Sequence, residues 1–352
     1  MRTLLPGLLG VALVVTACAA PGAPAARPAA SSAAPGDASA RPPTVAPPPA
    51  GIVQVGLIAP LAGYWGIYAA DALGLFAREG VQNEIIYTRS PAQSVTLLAS
   101  GDLHVAVNTA DNSIIAISKG ADLAIVAGPQ AAAMFTLIAT PGIQSVPELR
   151  GKSIAINNSV RDGIANMVRR TLRHYGVRED EVDLVMVGGT PERYTALKSG
   201  AVAASILTQP QDVMAMAEGL PRLVTLADIL GDWQNLAAIV HRSWAQAHAD
   251  LLVRWLRGFI AGQAWLQAPA NRDEAVRILR AATQTSEEIA QRTYTLYFEE
   301  RPGQAIPPDG AVNLAGLRNV IASIEESGNF DDAPPPPVER VVDLTFWEQA
   351  RR

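Results

Sequence analysis

From Ile52 onward the chain alternates short apolar runs with stretches of helical spacing, and the rhythm restarts at Phe135. A parallel-rich sheet covered by helices requires this alternation, because each crossover between parallel strands must travel back along the sheet. In the first series strands are expected at 52–58, 84–87, 104–107 and 123–126, with helices at 65–77, 93–100 and 112–119. In the second, strands are expected at 135–139, 153–156, 182–187 and 203–207, with helices at 163–175, 192–199 and 211–218. After a strand at 236–240 only helical spacing remains, at 243–267, 272–282, 286–297 and 311–327. Helices this long are expected to pack back on the first series. The fold class is therefore α/β: two lobes, each a sheet flanked by helices, joined by two crossover strands with a cleft between them. Lobe 1 is expected to take 51–140 plus 241–350, and lobe 2 to take 141–240.

The segment ahead of this body bears on compartment. Met1-Arg2-Thr3 is a short positive start, Leu4 to Val15 an apolar run, and Val15-Thr16-Ala17-Cys18 ends in the only cysteine of the chain. A spanning helix needs about 20 apolar residues, and Pro6 and Gly7 interrupt a run already too short. The order is that of a secretory signal, and the tetrad resembles the bacterial lipobox, whose cysteine becomes the acylated first residue after cleavage. Residues 1–17 are thus expected to be a signal peptide and Cys18 a lipid site. Residues 18–50 are Ala/Pro-rich, with Arg27, Asp37 and Arg41 their only charges, a composition that buries no core and serves as a tether. The protein is expected on the extracytoplasmic face of a membrane, held there by its lipid.

With a single cysteine, disulfides within the chain and cysteine-based zinc sites are excluded. Hydrophobic residues make up 49% of the sequence, enough to fill two ordinary cores. The formal net charge of −5 comes without any basic block, so no nucleic-acid partner is expected. Gly151-Lys152-Ser153 resembles the end of a phosphate-binding loop, but Val146 stands where its first glycine belongs, and a strand follows. His104, His174, His241 and His248 are scattered, and no metalloprotease, dinucleotide or nucleophile-elbow motif occurs. No catalytic residue, metal or cofactor is assigned, and a monomer is expected.

Five phrases carry a family resemblance: Tyr68 to Gly80 (YAADALGLFAREG), Gln93 to Val107 (QSVTLLASGDLHVAV), Val146 to Ile154 (VPELRGKSI), Ala196 to Ala204 (ALKSGAVAA) and Val342 to Glu348 (VDLTFWE). Each is generic alone. In this order, across 51–350, they resemble the binding proteins for nitrate, sulfonates, taurine and thiamine-pyrimidine precursors, which are type II periplasmic binding proteins of ABC importers. The resemblance implies a protein that closes two lobes on a small-molecule solute, performs no chemistry on it and delivers it to a permease and its ATPase. The same superfamily includes an iron-dependent synthase of the thiamine pyrimidine, whose cysteine-rich motif is missing here. A ligand-sensing receptor module is a further non-enzymatic reading.

Solute sites in such sheets lie beyond the carboxyl ends of the strands, so the loops facing the cleft supply the candidates. Tyr64 and Trp65 follow the first strand and would form a stacking wall, or else pack the helix on the sheet, as Tyr68 is expected to do. Ser90 follows the second strand. Asn108, Asp111 and Asn112 follow the third, where Asp111 also suits a helix N-cap. In lobe 2, Asn158, Ser159 and Arg161 precede a helix whose free N–H groups favour an acceptor-rich ligand group, while Arg161 alternatively pairs with Asp162. Thr190 and Gln209 end later strands, and Trp233-Gln234-Asn235 sits just before the return crossing, lining either pocket or hinge. Few basic residues stand in these loops, Arg161 and Arg89 being the main ones. The aromatics and amides suggest a planar heteroaromatic solute, riboflavin first and a thiamine pyrimidine precursor second, with a sulfonate- or nitrate-type anion as the alternative.

Overall fold

A computed structural model describes residues 51–331 and 333–352, so the expected signal peptide, Cys18 and the linker lie outside the described residues. All of the described residues belong to one compact unit, Ala46–Arg352. The first lobe begins with β1 (Gly51–Leu57), α1 (Trp65–Ala72), α2 (Leu75–Arg78), β2 (Val81–Tyr87), α3 (Pro91–Ser100), β3 (Val105–Thr109), α4 (Ala110–Ser118) and β4 (Leu123–Gln130). The second follows as β5 (Phe135–Ala139), β6 (Ser153–Ile156), α5 (Gly163–His174), β7 (Asp183–Met186), α6 (Thr190–Lys198), β8 (Ala204–Thr208), α7 (Gln211–Ala217), β9 (Arg222–Thr225) and α8 (Ala227–Leu230). The chain returns through β10 (Leu236–His241) into α9 (Arg242–Ala247), α10 (Ala249–Leu266), α11 (Arg272–Thr283), α12 (Glu287–Tyr294), α13 (Leu314–Glu326), α14 (Val338–Val341) and α15 (Thr345–Ala350).

These strands make two five-stranded mixed sheets, ordered β2-β1-β3-β10-β4 and β7-β6-β8-β5-β9. In each, one strand from a lobe crossing runs antiparallel among parallel neighbours: β10 between β3 and β4, and β5 between β8 and β9. Their sequences explain the central placement. Phe135 to Ala139 and Leu236 to Val240 are wholly apolar save Thr136, and every one is buried, as strands covered on both faces must be. The sheets change over between Gln130 and Phe135. That is earlier than the expected boundary at 140, because Phe135–Ala139 pairs with β8 and β9. On the return, β10 is in the first sheet from Leu236, before the expected 241.

The helices after β10 pack mainly on the first sheet, where Trp255 of α10 stacks on Phe76 (5.7 Å between centroids) and Phe259 (5.6 Å). Two of them also reach the second lobe: α12 packs against α7, and α13 against α5. Asn166 of α5 donates to Ser323 Oγ at 2.6 Å, and Arg170 pairs with Glu326 at 2.8 Å. Leu317, Val320 and Ile321 of α13 fill a core shared by strands of both sheets. Among the described residues no helix is long and apolar enough to cross a membrane.

Candidate functional site

A cleft of about 290 Å³ opens where the carboxyl ends of the parallel strands of both sheets face each other. The first lobe contributes Ile58, Leu61 and Tyr64 after β1, Arg89 and Ser90 after β2, Thr109 and Asn112 at the end of β3, and Gln130 at the end of β4. From the second come Phe135, Asn157 to Ser159 after β6, Gly189 to Arg193 after β7, and Thr208; Asn235 and Leu236 close the hinge side. The first turns of α3, α4, α5 and α6 all reach this wall; Asp111 on α4, Asp162 capping α5 and Glu192 on α6 offset three of these positive ends, and α3 carries no acidic residue in its first turn. Ser90 caps α3 by accepting the Gln93 N–H at 3.2 Å, and Asp162 caps α5 through Ala165 N–H at 2.9 Å. Burial raises the Asp162 carboxyl above its ordinary range, with Asp111 across the lobe junction adding to the rise.

Arg193 is the charged group that the sequence reading missed. It is 1% exposed, its charge opposed by burial that pulls the guanidinium down to about 10. No carboxylate among the described residues lies within ion-pair distance of it. All five of its N–H groups instead go to neutral oxygens: Nε and Nη2 to the Ile206 carbonyl at 3.2 and 3.1 Å, Nη1 to Gly188 O at 2.7 Å and to Asn157 Oδ1, and Nη2 to Thr190 Oγ1 at 3.1 Å. The consequence falls on its neighbours. Asn157 Oδ1 and Thr190 Oγ1 each accept from Arg193 with one lone pair, which orients the side chains and leaves the Asn157 NH₂ and the Thr190 O–H as their free donors. Neither donates to a protein oxygen among the described residues. In sequence, Arg193 follows Glu192 on a short polar helix and reads as solvated; its burial comes from α6 lying over the end of β8.

Of the expected site residues, the cleft brings together Tyr64, Ser90, Asn112, Asn158, Ser159 and Thr190. Tyr64 is fully buried behind the wall, its hydroxyl accepting Ile58 N–H at 3.3 Å, and burial pushes that phenol far up. Asp111 and Arg161 lie in a narrower crevice of about 40 Å³ between α4, α5 and α13, with Asp111 packed against Gly163. Three expectations are corrected. Trp65 faces away from the cleft: it is 0% exposed, edge-on to Tyr294, Tyr297 and Phe298, and its indole N–H donates to the Ala275 carbonyl at 3.0 Å. The first turn of α1 thus turns its large ring into the helical layer, and no Tyr64–Trp65 stacking wall forms. Asn108 is fully buried in β3 and holds Ser113 at 3.4 Å. Gln209 is 1% exposed and lies beneath the cleft floor, donating to Asp212 at 2.6 Å and accepting from the Tyr297 hydroxyl at 2.9 Å.

Comparison with solved structures finds the same two-lobed periplasmic-binding-protein fold. The alkanesulfonate-binding protein SsuA from Xanthomonas axonopodis pv. citri, bound to MOPS, is 16% identical, with a TM-score of 0.66 over 84% of this chain and 96% of that one. The nitrate-binding protein NrtA from Synechocystis is 12% identical, with a TM-score of 0.72 over 86% and 88%. The ligand-binding component of an ABC-type import system from Staphylococcus aureus is 12% identical, with a TM-score of 0.72 over 85% and 98%. No curated protein matches the sequence. Residues 62–275, more than half of the chain, match a family described as NMT1/THI5 like. The chain belongs to the NMT1/THI5-like family.

Proposed function

We propose that this chain is the solute-binding component of an ABC importer, closing two lobes on a small molecule with an anionic or acceptor-rich head and passing it to a permease. The observation that carries the reading is the wall built around Arg193. One buried guanidinium, with no carboxylate at ion-pair distance among the described residues, orients Asn157 and Thr190 so that both present donors to the cleft, which the N-terminus of α3 also reaches. Ile58, Leu61, Phe135, Ile164 and Leu236 offer apolar surface to the rest of the solute. Neighbours of the same fold are named for alkanesulfonate and nitrate, which supports an anion. The planar heteroaromatic expectation rested on a stacking pair, and Trp65 in the core removes half of it. Acylation at Cys18 would hold the body at the extracytoplasmic face of the membrane.

Calorimetric titration of the purified protein with ethanesulfonate, nitrate and riboflavin tests the reading. Ethanesulfonate is expected to bind. Arg193→Lys is expected to weaken it at least about tenfold with unchanged circular dichroism, since an ammonium cannot hold the acceptors a guanidinium fork holds. Binding of riboflavin, with no response to either anion, would overturn the anion and restore the planar solute.

A further inference from the structure

Asn235 is 4% exposed and stands where β4 and β10 meet, with its backbone held on both sides: its N–H donates to Gln130 O at 3.1 Å and its carbonyl accepts Ala110 N–H at 3.0 Å. Its side chain lines the cleft, yet its Oδ1 is buried without a partner among the described residues. A buried acceptor left unmet costs stability, so a group in this position is a place for a ligand donor.

Which end of the Asn235 amide faces the cleft is fixed from below. Asp212, fully buried, accepts from Thr136 Oγ1 at 2.7 Å and from Gln209 Nε2 at 2.6 Å. A carboxylate only accepts, so Gln209 must turn its NH₂ toward Asp212 and its Oε1 toward Tyr297, whose hydroxyl donates to it at 2.9 Å. The tyrosine oxygen is then left to accept, and it takes the Gln130 NH₂ at 2.7 Å. Gln130 Oε1 in turn accepts the Asn235 NH₂. Every bond in the chain runs the same way. The one polar atom of this chain that makes no bond among the described residues is an acceptor, Asn235 Oδ1, at the hinge side of the cleft.

We propose that Asn235 is a specificity-determining residue that accepts a hydrogen bond from an N–H or O–H group of the solute, its polarity set by the Tyr297–Gln209–Asp212 chain. This rests on the cleft being the solute site and deepens that reading. The second lobe presents donors around Arg193 and the hinge presents an acceptor, so the solute carries an acceptor-rich head and, at its other end, a hydroxyl or amine. Gln130, Tyr297, Gln209 and Asp212 are positioning residues.

Three probes differing in one substituent test this: ethanesulfonate, 2-hydroxyethanesulfonate and 2-aminoethanesulfonate, titrated calorimetrically into the wild type, Asn235→Ala and Tyr297→Phe. The wild type is expected to bind the two donor-bearing probes about tenfold more tightly than ethanesulfonate. In Asn235→Ala the preference should vanish, the three probes binding within about twofold of one another whatever their common affinity. In Tyr297→Phe, where the cleft is untouched but the chain is cut, it should fall to less than about threefold. Equal wild-type affinities for all three probes would overturn the proposal and leave the anion reading standing. So would a preference that survives in Asn235→Ala. Failure of all three to bind would sink the anion reading itself, and this proposal with it.

Discussion

Asp212→Asn isolates the one carboxyl that burial pushes up to about 6 from an ordinary 3.8. Bonds from Thr136, from Gln209 and from the Val213 N–H at 2.6 Å are among those that oppose that rise without cancelling it. The facing titratable group, Tyr297, stays protonated because burial raises it far beyond the working range. The unfolded chain therefore releases this proton near pH 3.8 and the native chain near pH 6. Between the two the native state holds the extra proton, and stability falls as pH rises. About two pH units at 1.36 kcal/mol each amount to about 3 kcal/mol, complete below the lower value and lost above the upper. The amide that replaces the carboxyl does not titrate. Its NH₂, set against the Val213 N–H, costs about 1–2 kcal/mol at every pH, which displaces the curve without tilting it. Urea unfolding of both proteins at steps from pH 4 to 7.5, followed by tryptophan fluorescence, gives the difference curve. Exposed carboxylates such as Glu148 and Glu274 cancel in it. The wild type should lose about 2 kcal/mol relative to the variant across this range, the remainder falling below pH 4; parallel curves would refute the argument.

Trp65→Ala should cost about 3–5 kcal/mol in urea unfolding, as a ring removed from a closed core does, while ethanesulfonate affinity of the folded protein moves less than about threefold. A much larger affinity loss would put Trp65 back in the cleft. Gly262→Ala places a methyl against the Gly66 carbonyl and 3.0 Å from Ala70 N, so α10 and α1 must separate. Overpacking of this kind costs about 1–3 kcal/mol, to be seen as a lowered thermal midpoint; an unchanged midpoint would show that the helices have room.

Strands that are apolar but for a single hydroxyl were legible: 135–139 and 153–156 occur as expected, since such a run has one economical place to go, between two covering layers. Arg222–Thr225 was not, being a short edge strand opened by a charge, with too little periodicity to separate it from a loop. The loops of the cleft were legible as loops, because the strand-end rule selects them whatever their composition. Which way each side chain turns was not. Trp65 stands at a loop-to-helix junction, where half a turn of helix decides between cleft and core. Arg193 is buried only because the end of β8 presents the Ile206 carbonyl beneath it, a contact no local pattern records. Gln130 and Asn235 meet only after a whole lobe has been inserted between them.

That insertion orders assembly in time. The second sheet comes from one uninterrupted stretch, Phe135 to Thr225, and needs nothing from elsewhere to close. In the first sheet β4 has β10 as its sole strand partner, and β10 comes only after all five strands of the other sheet. A chain delivered amino terminus first can therefore complete its second sheet while the first still shows the bare edges of β3 and β4. Such edges invite pairing with other chains. The nascent protein is most exposed to aggregation in the interval between the emergence of Gln130 and that of Leu236, and agents that bind open strands should act on it there.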